Sequence, residues 1–107
     1  MQRVGFILKV KPEQIAEYKR HHQAVWPEML EALRRTGWHN YSLFLRDDGL
    51  LFGYVEVEES FQDSLAGMAQ EEVNARWQTF MAPYFEHLSG AHADESMAEL
   101  QEVFHLD

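Results

Sequence analysis

The sequence predicts an α+β domain of split βαβ design, an antiparallel sheet with both helical regions packed on one face. Three observations predict it. Strict apolar–polar alternation opens the chain and returns on both sides of an Asp-Asp-Gly turn. Apolar residues recur at steps of three and four after Pro12 and again between positions 60 and 85. The two kinds of segment then interleave as strand, helix, hairpin, helix, strand.

Val4, Phe6, Leu8 and Val10 alternate with Arg3, Gly5, Ile7 and Lys9, which is the period of a half-buried strand. Pro12 suits the first turn of a helix, where a missing N–H costs nothing. From there Ile15, Tyr18, His22, Val25, Trp26, Met29 and Leu33 form one stripe. Pro27 falls inside that stripe, removing a helical hydrogen bond and pushing Trp26 out of helical angles, so a kink or restart is expected there. Gly37 reads as the residue that ends the helix, and Asn40 to Arg46 as the second strand with Tyr41, Leu43 and Leu45 on one face. Asp47-Asp48-Gly49 turns the chain into a third strand, Leu50 to Val57.

Helical spacing over 60–85 predicts two helices or one broken helix, through Leu65, Met68 and Ala69 and then Val73, Trp77, Phe80, Met81 and Tyr84. His87 to Glu95 has no period and reads as a loop. Leu100 to Leu106 is expected to close the sheet as a fourth strand. The face of the sheet away from the helices would carry alternate apolar residues, and a second copy of the same sheet is the simplest cover for it. A homodimer is therefore expected, or else a ligand pocket between sheet and C-terminal segments.

With 107 residues, 46% of them hydrophobic, the chain has the size of a single domain spanning 1–107. Three Trp, four Tyr and seven Phe exceed the needs of a minimal core, which leaves aromatics for a pocket or an interface. A net charge of −9 disfavours nucleic acid and anionic membrane as partners and favours a neutral or cationic small ligand. No cysteine is present, so disulfides and thiolate metal sites are excluded. No long apolar run offers a signal or a membrane span, and a cytoplasmic protein is expected.

His22 is the residue that most asks for a function. It is read either as a hydrogen-bonded core imidazole that never titrates or as the floor of a pocket, and its neighbours on the stripe, Tyr18 and Trp26, favour the pocket. His21 points about 100° away and is read as a surface residue. No His or carboxylate pair has convincing ligand spacing, and no metal is expected. Tyr41 and Trp77 each read most simply as packing. Phosphate loops and nucleophile elbows are absent, which leaves general acid–base chemistry.

Tyr18, His22 and Trp26-Pro27-Glu28, Asn40-Tyr41, Leu51-Phe52 and the run Leu100 to Leu106 resemble, in register, the L-rhamnose mutarotases, which interconvert the α and β anomers of a 6-deoxysugar. The resemblance covers nearly the whole chain. It implies a ferredoxin-like α+β fold that dimerises through its sheet, His22 as proton donor, Tyr18 and Tyr41 in the sugar site, and no cofactor. The family usually carries two adjacent tryptophans on the late helix, where this chain has Arg76-Trp77-Gln78, so only Trp77 is carried over as a sugar contact. The loop before the last strand also differs, over Ser89 to Ser96. Trp26 is left as packing, Pro27 as the bend beside the site and Glu28 as a first-turn acid.

Mutarotation needs one proton delivered to the ring oxygen and one removed from the anomeric hydroxyl, and a histidine near neutrality can do either. Two readings of other classes share the fold: a non-catalytic ligand-binding module, and a cofactor-independent monooxygenase, which would need a roomier apolar cavity.

Overall fold

The fold was obtained as a computed structural model that describes residues 1–86, 93 and 96–107. Four strands make one sheet: β1 (Gln2–Lys9), β2 (Trp38–Leu45), β3 (Leu50–Val57) and β4 (Ala98–Leu100). They lie in the order β2-β3-β1-β4 with every neighbouring pair antiparallel. Among the described residues there are four α-helices: α1 (Ile15–His22), α2 (Pro27–Arg35), α3 (Phe61–Ala69) and α4 (Glu72–Met81). The α+β class and split βαβ order expected from the sequence are those observed.

Local chemistry accounts for the element ends. A short 3-10 turn at Pro12–Gln14 leads into α1. The long stripe does break: Trp26 adopts ψ 133°, as a residue before proline must, and α2 restarts with Pro27 in its first turn and with the Trp26 carbonyl accepting from Met29 N at 2.9 Å. Gly37, at φ 90°, follows α2 in the left-handed conformation that glycine tolerates. Ser60 caps α3 by accepting from Asp63 N at 3.1 Å. The spacing over 60–85 resolves into two helices.

The helix-covered face of the sheet holds the core. Val4, Phe6 and Leu8 of β1 and Leu51, Val55 and Val57 of β3 are buried against Met29, Ala32, Phe61, Met68 and Trp77. Full burial of one such side chain is worth about 1.5–3 kcal/mol. Phe6 lies across Gly53, its register partner, so closely that a Cβ there would come within 2.2 Å of the ring.

β2 begins at Trp38, two residues before the expected start, and contains a bulge. His39 pairs with Glu56 and Ser42 with Tyr54, so two residues of β2 face one of β3, and Asn40 takes φ 46° within the bulge. The extra residue changes the parity of the strand. Trp38 and Tyr41, three apart, consequently share a face and pack with ring centroids 5.1 Å apart.

The C-terminal strand is shorter than expected. Only Ala98–Leu100 pairs with β1, and residues 101–107 form no regular structure, so the strand predicted for Leu100 to Leu106 is corrected to three residues. Gly5 opposes Leu100 in this register. Glu102 stays beside Arg3, at 2.8 Å, while Val103, Phe104 and Leu106 are 88%, 79% and 80% exposed. The loop predicted over His87 to Glu95 lies outside the described residues, apart from Ala93.

Candidate active site

His22 is the last residue of α1, set there by the break that Pro27 imposes. Its Nδ1 lies 2.9 Å from the Tyr18 carbonyl oxygen. A carbonyl only accepts, so Nδ1 carries the hydrogen and the neutral ring has its lone pair on Nε2. Among the described residues nothing hydrogen-bonds that nitrogen. Burial, partly opposed by the bond to the Tyr18 carbonyl and reinforced by nearby His21, holds the imidazole below its ordinary value near 6.5. At neutral pH His22 is therefore an uncharged base.

Aromatic rings hold it in place. Tyr18, 4% exposed, stacks on the imidazole with centroids 4.1 Å apart, and Trp77 of α4 meets it edge-on at 5.6 Å. Burial raises the Tyr18 phenol far above its usual range, so that hydroxyl stays protonated. Trp26 packs edge-on against Trp77 at 4.9 Å and is stacked on Phe80 at 5.7 Å, which supports its reading as packing.

A cavity of about 350 Å³ opens beside these rings, lined by His22, Tyr41 and Trp77 together with Trp38, Asn74 and Gln78 and an apolar wall from α2 and Met68. A neighbouring recess of about 60 Å³ brings Tyr18 to the same place, again with His22, Tyr41, Trp77 and Gln78. The structure thus gathers all four residues singled out in the sequence. Tyr18 and Tyr41 border the recess together, but only Tyr41 reaches the larger cavity. That volume is at the lower end of the roughly 300–1,000 Å³ of small-molecule sites.

His21 departs from its reading as a surface residue. It is partly buried, with Nε2 3.1 Å from the Tyr84 hydroxyl and its ring edge-on to Phe80 at 4.6 Å, so α1 uses its neighbouring histidine as packing. Arg76, beside Trp77 on α4, lies outside the cavity. Its guanidinium sits 5.9 Å from the centre of the Trp26 ring and pairs with Glu28 of α2 at 3.3 Å. Glu28 is thereby a surface ion-pair partner rather than a site residue. Among the described residues no group of three His, Cys, Asp or Glu could hold a metal, and no helix is long and apolar enough to cross a membrane.

Sequence reasoning passed over Asn74 and named Gln78 only as a departure from the family pattern; the two are 4% and 7% exposed on the buried face of α4. The signal was present, because both fall on the stripe of Val73, Trp77 and Met81. Trp38 was missed for a different reason, since its place on this face depends on the bulge.

Fold and site together define a small α+β domain that holds an uncharged histidine at the wall of an aromatic-lined cavity of small-molecule size. The family model described as L-rhamnose mutarotase matches residues 3–106. The L-rhamnose mutarotase of Oceanobacillus iheyensis is 39% identical and that of Bacillus subtilis 41% identical, each alignment covering 100% of both chains. The crystal structure of an L-rhamnose mutarotase from Formosa agariphila superposes with a TM-score of 0.81 over 100% of both chains, at 27% identity. The chain belongs to the L-rhamnose mutarotase family.

Proposed function

We propose that this protein interconverts the α and β anomers of L-rhamnose, with His22 as the proton-transfer group and Tyr18, Tyr41 and Trp77 around the sugar. Family membership over nearly the full chain makes it a mutarotase, an isomerase of sugar anomers. The observation that carries the catalytic assignment is the bond from His22 Nδ1 to the Tyr18 carbonyl at 2.9 Å, which fixes the tautomer and leaves Nε2 for chemistry.

Neutral Nε2 first accepts the proton of the anomeric hydroxyl as the bond between the anomeric carbon and the ring oxygen breaks. The ring oxygen gains a proton from the Tyr41 phenol while the Tyr18 hydroxyl, which keeps its proton, hydrogen-bonds the sugar, and the open aldehyde rotates. On reclosure the imidazolium donates its proton back to the new anomeric oxygen and the phenol is restored, so His22 is the proton donor of the second half. No redox step is involved. Positioned acid–base groups contribute rate gains on the order of 10² to 10⁴, which suits a reaction that already proceeds in water. The edge of Trp77 and the apolar wall suit the methyl group of a 6-deoxysugar, and a cavity of about 350 Å³ suits a monosaccharide better than a polycyclic phenol.

The open face of the sheet supports a homodimer. Phe44 and Phe52 pair across β2 and β3 with centroids 6.2 Å apart, 59% and 37% exposed, and the apolar side chains of Val103, Phe104 and Leu106 beyond β4 are exposed as well. A second copy of the sheet would cover both. A cytoplasmic enzyme working on an intracellular sugar fits the cysteine-free composition.

The test is anomer exchange measured by NMR on L-rhamnose. Wild type is expected to exchange the anomers faster than buffer, and His22→Ala, still folded by circular dichroism, to lose the gain on the order of 10² to 10⁴. Equal exchange with and without wild-type protein would overturn the substrate, and full activity in His22→Ala would overturn the catalytic assignment.

A further inference from the structure

Two apolar surfaces compete for the methyl group of a 6-deoxysugar, and the constitution of the sugar chooses between them. One is the wall that α2 and Met68 give the large cavity. The other is the recess of about 60 Å³, which shares His22, Tyr41 and Met97 with that cavity. Its floor is apolar, with Leu8, Leu51, Met81 and Phe85 each at most 8% exposed. On the scale of liquid water, about 30 Å³ per molecule, the recess has room for about two small groups. It excludes a pyranose ring and admits a methyl.

In a pyranose the anomeric carbon and the methyl-bearing carbon are the two neighbours of the ring oxygen. In the reaction above His22 takes the anomeric proton and Tyr41 serves the ring oxygen, and both side chains border the recess as well as the cavity. The methyl group, two bonds from that oxygen, is thereby brought to the mouth of the recess. The α2 residues border the cavity alone.

Four of the five methionines sort between the two surfaces: Met29 and Met68 line the cavity, Met81 lines the recess, and Met97 lines both. Met97 differs in setting too. The other three lie buried in α2, α3 and α4, whereas Met97 is half-buried and immediately precedes β4, where Ala98 pairs with Ile7 of β1. An unbranched thioether with three rotatable bonds adapts its shape to a neighbour and favours contact with aromatic rings. At the junction of the two spaces it packs well on a methyl group and offers a hydroxyl only a weak acceptor.

We propose that the recess seats the 6-methyl group of the sugar and that Met97, at its mouth, is a specificity-determining residue for the substituent at that carbon. This rests on the mutarotase reading above.

The methionines themselves report where the methyl group lies. In protein labelled with ¹³C at the methionine methyls, NOEs from the 6-methyl protons of bound L-rhamnose are expected to Met97 and Met81, each signal assigned by its loss in Met97→Leu or Met81→Leu. NOEs to Met29 or Met68 instead would overturn the seat. A second measurement compares NMR anomer exchange on L-lyxose, L-rhamnose and L-mannose, which share ring stereochemistry and carry hydrogen, methyl and hydroxymethyl at the carbon in question. Wild type is expected to favour L-rhamnose over each of the others by about tenfold or more in kcat/KM. Met97→Phe, which crowds the mouth, should narrow the preference over L-lyxose. Met97→Gln, of similar length but with a hydrogen-bonding amide, should narrow the preference over L-mannose, and it carries the comparison alone if Met97→Phe does not fold.

Unchanged ratios among the three sugars in folded Met97 variants would overturn the proposal while leaving the mutarotase reading intact. Wild type that binds L-rhamnose without exchanging it would overturn the mutarotase reading, and the NOEs would still decide the methyl seat. Absence of both binding and exchange would overturn both.

Discussion

The two faces of the sheet share one alternating pattern and meet opposite fates. On the helix-covered face Phe6, Leu51 and Val55 are at most 1% exposed, and Gly53 leaves only enough room for the Phe6 ring. On the other face Phe44 and Phe52 pair across the strands, yet remain 59% and 37% exposed. The cavity lies on the covered face, where helices carry His22, Trp77 and Gln78 over the sheet. Alternation assigns a residue to a side of the sheet and leaves open what, if anything, will cover it.

Charging the open face is the strongest way to break the contrast. Phe44→Glu combined with Phe52→Glu places like charges against their symmetry mates in the proposed dimer, where such juxtaposition costs several kcal/mol. Sedimentation should show a dimer becoming a monomer with its secondary structure intact. A dimer that survives the double substitution would mean that the open face is not the interface.

A smaller effect is expected from adding one methyl group to a glycine on each face. Gly53→Ala forces the Phe6 ring aside and should cost about 1–3 kcal/mol in chemical denaturation. Gly5→Ala meets the Phe52 ring at 3.2 Å and Leu100 Cδ1 at 3.8 Å, on the open face, where the ring can give. Its effect should stay within about 0.5 kcal/mol in the isolated protomer. Equal costs at the two glycines would erase the distinction between a packed face and an open one.

The smallest effect concerns the covered histidine. Burial holds His22 below its ordinary value near 6.5, so between that value and its native one the unfolded chain binds a proton that the folded chain does not. Stability from this group is therefore present above pH 6.5 and declines as pH falls through that window, by at most about 1.4 kcal/mol per pH unit. His22→Ala should flatten this part of the stability profile. The catalysed exchange rate should fall with a midpoint below pH 6.5, and a midpoint above it would contradict the neutral imidazole.

Much of the site could be read in advance, and the reasons differ by residue. His22 and Trp77 were legible because each lies on an apolar helical stripe whose period reveals its direction, and the resemblance to a known family singled them out further. Tyr41 was assigned to the correct face only because the count began at Asn40, inside the bulge. Counted from Trp38 the parity would have failed, and the left-handed turn at Asn40, φ 46°, is what restores it. Asn74 and Gln78 escaped because a polar residue on an apolar stripe looks the same whether it is satisfied by a neighbour or aimed at a ligand. The C-terminal strand was drawn too long because a periodic pattern contains no record of where its partner ends.

By itself the sequence determined which segments are helix and which are strand, where Pro27 breaks the first helix, and that His22 ends up on the buried stripe. These are matters of local sterics and of angle about a segment's own axis, which neighbouring residues dictate. Tertiary structure alone decided that α4 brings Trp77 and Gln78 to the imidazole, that a cavity remains between them, and that one face of the sheet stays open. Distances between elements far apart in the chain are set by the packing of many side chains at once, and no single stretch of sequence contains that sum.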